Sequence, residues 1–124
     1  MDCAKKVESL GAGEIIFTSV NYAGLQTGFD IKNINKITKN INIPILAHGG
    51  CGDPKDVLEL AQNTNVSGVV IASYFHYNSI SKFKKFKSKV GNTNFLDNFS
   101  GTKNKFNLIK KIKSTLKIKG FNVR

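Results

Sequence analysis

Cysteine is scarce in this chain: there are two in 124 residues, Cys3 and Cys51, far apart in sequence. Neither they nor any cluster of His, Asp and Glu shows metal-ligand spacing, so no metal site is expected. No cofactor is expected either, and a reduced cytoplasmic protein is the simplest setting. Long apolar runs are missing as well. Nothing approaches the ~18 residues that cross a bilayer, which argues against a membrane partner, and "MDCAKKVES" at the start has no signal-peptide core. What remains, 40% hydrophobic and 22% charged residues, has the composition of an ordinary soluble globular domain.

Acidic residues are few, eight against nineteen Lys and Arg, for a net charge of +11. The imbalance is local. Residues 1–80 carry six lysines and seven acids, whereas residues 81–124 carry thirteen Lys/Arg and one acid, Asp97. A basic patch of this kind suits nucleic acid or an acidic partner. A lysine- and asparagine-rich solvated surface explains it more simply. "KFKKFKSK" interleaves aromatics with cations, as single-strand binders do, but nothing else in the chain supports a nucleic-acid partner.

The first eighty residues alternate between two periods. "DCAKKVESLGAG" spaces Ala4, Val7 and Leu10 along a helix face closed by Gly11 and Gly13. "EIIFTSV" is of strand length, and "DIKNINKITKNIN" returns to helical spacing with Asp30 as N-cap. "IPILAH" is the next strand. "DPKDVLELAQNTN" follows, with Asp53 as N-cap, Pro54 in the first turn and Val57, Leu58 and Leu60 facing inward; "VSGVVIAS" is the third strand. Alternation of this sort predicts an α/β fold with a parallel sheet. Residues 1–80 form the βα units with their loops, residues 81–107 are a basic insertion, and residues 108–124 supply a last helix. In that helix Leu108, Ile109, Ile112 and Leu116 share one face and Gly120 is the stop.

Each strand runs into an unusual loop: "VNYAGLQTGFD" after the first, "GGCGD" after the second, "YFHY" after "VVIAS". In parallel α/β folds the carboxyl ends of strands carry the site. Glycine lets main-chain N–H groups approach an anion, and a following helix N-terminus favours negative charge. A phosphate cradle from Gly49–Gly50 and Ala72–Ser73 is the expectation. His48, beside the glycines, is a candidate for a hydrogen bond to phosphate or for carrying a proton. His76 and Cys51 read as structural, since a thiolate needs a basic partner and only His48 is near.

The string "LGAGEIIFTS", "GLQTGFD", "PILAHGGCG", "GVVIASYFHY" and terminal "GFNVR" resembles the second half of the cyclase subunit of imidazole glycerol phosphate synthase, the HisF family. The resemblance covers residues 2–80 and again 108–124. It implies a TIM (β/α)8 barrel to which this chain gives about strands six to eight, with Met1 inside the fifth barrel helix. By position, Gly24, Gly49, Gly50, Ala72 and Ser73 would hold one phosphate of the substrate, with Thr18 and His48 close to it. It further implies a glutaminase subunit as ammonia source and a phosphorylated small-molecule substrate, with imidazole glycerol phosphate as product in histidine biosynthesis.

The chain also departs from the family pattern. "NYAGL" stands where D-R-D-G-T is usual, so Ala23 replaces an acid, and His48 replaces a serine. The family's two catalytic aspartates belong to strands one and five, so the catalytic residues of this chain are left open. Two alternatives follow: a cyclase-like paralogue that amidates a cell-envelope or nucleotide sugar, and a non-catalytic phosphate-binding half-barrel. Three strands with open edges call for a missing barrel half or a homo-oligomer.

Overall fold

Helix and strand alternate through the first eighty residues as their hydrophobic spacing requires. The computed structural model describes residues 2–80 and 108–123; residues 81–107, expected to be a basic insertion, lie outside them. The elements run α1 (Asp2–Ser9), β1 (Ile15–Thr18), α2 (Ile31–Thr38), β2 (Ile45–His48), α3 (Pro54–Asn63), β3 (Gly68–Val70), α4 (Ser73–Ile80) and α5 (Leu108–Ile118). Among the described residues none of the helices is long and apolar enough to cross a membrane.

The strands form one parallel sheet in the order β1-β2-β3. Each new strand joins beside the last, so all three carboxyl ends, and the loops that leave them, lie at one end of the sheet. Ile15 pairs with Ile45 and Thr18 with His48, while His48 in turn lies opposite Val70. Strand period then sorts the side chains onto two faces. Ile45 and Ala47 are buried, with Ile34 of α2, Val57 and Leu60 of α3, Tyr74 of α4, and Ile112 and Leu116 of α5 in the same core. Ile16, Thr18, Leu46 and His48 alternate with the residues of that face. Ile16 is 56% exposed, since no described element covers it.

The caps explain where the helices begin and end. Asp30 accepts from the Asn33 N–H at 3.2 Å and starts α2. At α3 the Asp53 carboxylate accepts from the Lys55 N–H at 2.9 Å, and Asp56 returns the favour by accepting from the Asp53 N–H at 2.9 Å. Pro54 in the first turn has no N–H to leave unpaired. α5 closes on Gly120, whose φ of +85° allows the Gly120 N–H to reach Lys117 O and the Phe121 N–H to reach Leu116 O, at 3.0 and 3.1 Å.

Three expectations shift. The third strand is only Gly68–Val70, and "YFHY" is not a loop: it belongs to α4, which starts at Ser73. No glycine or proline follows Ser73 to prevent a helix, and burying Tyr74 and Asn78 one turn apart stabilises it. Asn78 Nδ2 donates to Tyr74 O at 2.7 Å. Ile109 is 59% exposed rather than inward, because Leu108, Ile112 and Leu116 repeat every four residues and Ile109 sits off that row. Val7 of α1 and Leu10, which lies one residue past its end, are left exposed by the described residues.

Candidate functional site

The three loops at the carboxyl ends of the strands meet around a cavity of about 220 Å³. The first loop contributes Ala23 and Gly24, the second runs from His48 through Gly49 and Gly50 to Cys51, and the third is Val70 to Ser73. The structure therefore brings Gly24, His48, Gly49, Gly50, Ala72 and Ser73 to one place. Thr18 does not line this cavity. It lies behind His48, with its Oγ1 3.1 Å from His48 Nδ1, and faces a neighbouring cavity of about 190 Å³ with Ser19, Asp30 and Asn33.

The glycines are explained first by chain packing. The Ser19 N–H donates to His48 O and the Gly28 N–H to Gly50 O, both at 2.9 Å, which zips the first loop to the second. At Gly50, φ is +103° and an added Cβ would overlap the Gly28 carbonyl oxygen. At Gly49, φ is +100° and a Cβ would come within 2.9 Å of Ser19 O. Close approach by the first loop thus accounts for both residues with no ligand at all. The same glycines also line the cavity that Ala72 and Ser73 share.

α4 supplies the remaining wall. Its first turn closes with the His76 N–H donating to Ala72 O at 3.0 Å, so the N–H groups of Ser73, Tyr74 and Phe75 have no acceptor within the helix. Those N–H groups and the helix dipole favour an anion at this end. Among the described residues no acidic, lysine or arginine side chain lines the cavity. An anion would therefore meet main-chain donors, the Ser73 hydroxyl and the His48 ring.

Cys51 is 3% exposed and unsuited to nucleophilic work. Burial pushes its thiol up to about 12, and the nearby Asp56 and Asp53 carboxylates add to the shift, although a hydrogen bond to Asp53 O opposes it. At neutral pH it stays a protonated, inert thiol. Tyr74, its neighbour in the core, is raised by burial and then by Asp53, Cys51 and Asp56. His76 lies on the exposed side of α4 against Tyr77, away from the cavity. Among the described residues no three His, Cys, Asp or Glu side chains come together to hold a metal ion.

Asp56 is the residue that reading the sequence misses. Besides the Asp53 N–H, its Oδ2 accepts the Gly52 N–H at 2.8 Å, so one carboxylate anchors the glycine loop to the start of α3. The available signal is its place three residues after the Asp53 cap, the spacing of a reciprocal cap.

Residues 1–81 match the family described as "Histidine biosynthesis protein". The chain belongs to this family. Among its relatives is the imidazole glycerol phosphate synthase subunit HisF of Lactococcus lactis subsp. lactis (strain IL1403). It is 47% identical over 77 residues, covering 62% of this chain and 30% of that protein. HisF of Clostridium botulinum (strain Langeland) is 39% identical over 93 residues, covering 73% of this chain and 37% of the relative. HisF of Clostridium botulinum (strain Okra) is 33% identical over 124 residues, covering 100% of this chain and 38% of the relative. The chain spans about a third of the length of the curated HisF relatives it matches.

Proposed function

We propose that this histidine-biosynthesis family member is the phosphate-binding part of an imidazole glycerol phosphate synthase cyclase barrel, contributing about strands six to eight. One observation carries the reading. Gly49–Gly50 and the start of α4 line the same cavity, which among the described residues no carboxylate lines. Gly24, Gly49, Gly50, Ala72 and Ser73 hold one phosphate of the substrate, mainly through N–H groups, with Thr18 and His48 near it. The exposed face carrying Ile16 and the open sheet edges fit a missing barrel half, or further copies of the chain, packed against them. A glutaminase subunit supplies ammonia to the completed assembly in the cytoplasm.

The division into residues 1–80, 81–107 and 108–124 is part of the same proposal. The match that spans the whole chain takes in nearly the same share of its relative as the shorter match does of its own. That supports 81–107 as an insertion and 108–124 as the closing barrel helix.

A second reading has its own support. With Ala23 at the cavity and no acid among the described residues that line it, this part of the barrel binds a phosphate without an acid–base pair from those residues. On either reading the 124-residue chain alone turns over no substrate with ammonia, and product formation by it would refute both.

The binding test uses Gly24, because a Cβ there meets nothing within 4 Å, although φ is +82°. Gly50→Asp is a poor probe, since it disrupts the loop whether or not a ligand binds. Gly24→Asp puts a carboxylate into the cavity, and Gly24→Asn controls for size; both residue types tolerate positive φ. Like charges a few ångströms apart repel by ~1–4 kcal/mol, so Gly24→Asp weakens glycerol phosphate binding about tenfold or more, and Gly24→Asn far less. Equal affinity for the two variants in a calorimetric titration removes the site.

A further inference from the structure

We propose that Thr18 is a positioning residue for His48, and that the pair adds one side-chain donor to a cradle otherwise made of main-chain N–H groups and the Ser73 hydroxyl. The inference rests on the phosphate reading above and names a residue outside the cavity that shapes it.

The strand register sets up the pair. Thr18 and His48 are the last residues of β1 and β2 and lie opposite each other in the parallel ladder. Period two places both on the sheet face turned away from the helices, after Ile16 and Leu46. Thr18 Oγ1 then lies 3.1 Å from His48 Nδ1. A β-branched side chain has few χ1 choices, so the strand holds the hydroxyl in place and the hydroxyl holds the ring. Among the described residues no hydrogen bond engages Nε2, and His48 lines the cavity beside Gly49.

The hydroxyl permits the useful protonation pattern, and a bound anion selects it. When Thr18 donates to Nδ1, the neutral ring carries its proton on Nε2, the nitrogen left for a ligand. When the ring is charged, Thr18 accepts from Nδ1–H and Nε2 still carries a proton. In the third arrangement Nδ1–H donates to Thr18 from a neutral ring, which turns the Nε2 lone pair toward the ligand. An anion disfavours that state and so selects against it. A carbonyl in place of the hydroxyl would only accept, and would fix the wrong tautomer of the neutral ring. Among the described residues Asp30 is the acid that shares the neighbouring cavity with Thr18, and its carboxylate is held by the Asn33 N–H and by Asn33 Nδ2 at 2.7 Å. It does not compete for the ring.

The experiment uses the full chain, inorganic phosphate as the probe, and two NMR readouts: amide shifts during a phosphate titration and the ring nitrogen shifts of His48. In the unsubstituted chain, phosphate moves the amides of Gly49, Gly50 and Ser73, and the His48 ring carries its proton on Nε2. Thr18→Val shifts the ring toward a mixture of tautomers and weakens phosphate about three- to tenfold, the worth of one hydrogen bond. Thr18→Ser, which keeps the hydroxyl, stays within twofold. With His48→Ser already in place, Thr18→Val has no further effect on affinity. The inference is overturned if Thr18→Val leaves the tautomer or the affinity unchanged, or if it weakens binding equally with and without His48. If no cradle amide moves in any variant, the phosphate reading fails along with it. If the amides move but Thr18→Val is silent, the phosphate reading stands and the positioning role alone is lost.

Discussion

Replacing Gly50 by alanine tests the claim that the glycine loop is shaped by its neighbour in the fold. A φ of +103° costs an L-residue ~1–2 kcal/mol. The added Cβ overlaps the Gly28 carbonyl oxygen, and pushing two packed loops apart costs ~1–3 kcal/mol more. That movement stretches the 2.9 Å bond from the Gly28 N–H to Gly50 O, worth ~1 kcal/mol. The sum is about 3–6 kcal/mol, against a total stability of about 5–15 kcal/mol for a domain. Gly24→Ala is the control. Its φ is +82° but its Cβ meets open space, so only the conformational cost of ~1–2 kcal/mol applies. With a urea slope of about 2 kcal/mol per molar, the unfolding midpoint drops by about 1.5–3 M for Gly50→Ala and about 0.5–1 M for Gly24→Ala. Equal shifts for the two variants, or a Gly50→Ala midpoint at the unsubstituted value, would refute the packing argument.

Other expectations follow from the core and the caps. Under native conditions a thiol reagent modifies exposed Cys3 and spares Cys51, whose thiol burial holds at about 12; rapid double labelling without denaturant contradicts this. Because the Cys51 value is raised from 9.0, folded-state stability is full below pH 9 and declines as pH climbs from 9 toward about 12, where the unfolded chain alone loses the proton. Cys51→Ala flattens the loss of urea midpoint between pH 9 and 10.5 without abolishing it, since Tyr74 is raised in the same direction; an unchanged slope shows that Cys51 is not its source. Asp56→Asn removes the charge that both Gly52 and Asp53 N–H groups meet and lowers stability by ~1–3 kcal/mol, with amide exchange fastest at those two positions. Uniform exchange across the chain would argue against the anchor. Leu60→Ala, at 1% exposure, costs ~2–5 kcal/mol in the same urea assay, and a loss below 1 kcal/mol would mean the site collapses freely.

Most of the element pattern could be read directly from residue spacing. Asp30, Asp53 and Pro54 mark helix starts through interactions within one turn, and Gly120 marks a stop through its own φ. Such signals are local and survive without knowledge of the fold. "YFHY" was legible only as a loop after the third strand. Whether it bends or coils depends on Tyr74 finding a core made by α3 and α5, which no short window contains. Ile109 and Ile112 are equally apolar, and only the position of the neighbouring α3 decides which one is buried.

The candidate site divides in the same way. Its residue types and their order along the chain were fixed by covalent sequence, because glycine runs after apolar strands limit what each loop can do. That three such loops surround one cavity, that Gly50 is closed in by Gly28, and that Thr18 reaches His48 across thirty positions were decided by the parallel sheet. A sequence states which groups are present and how the backbone near them prefers to turn. Distances between groups on different strands come from register and packing, which exist only when the strands lie side by side.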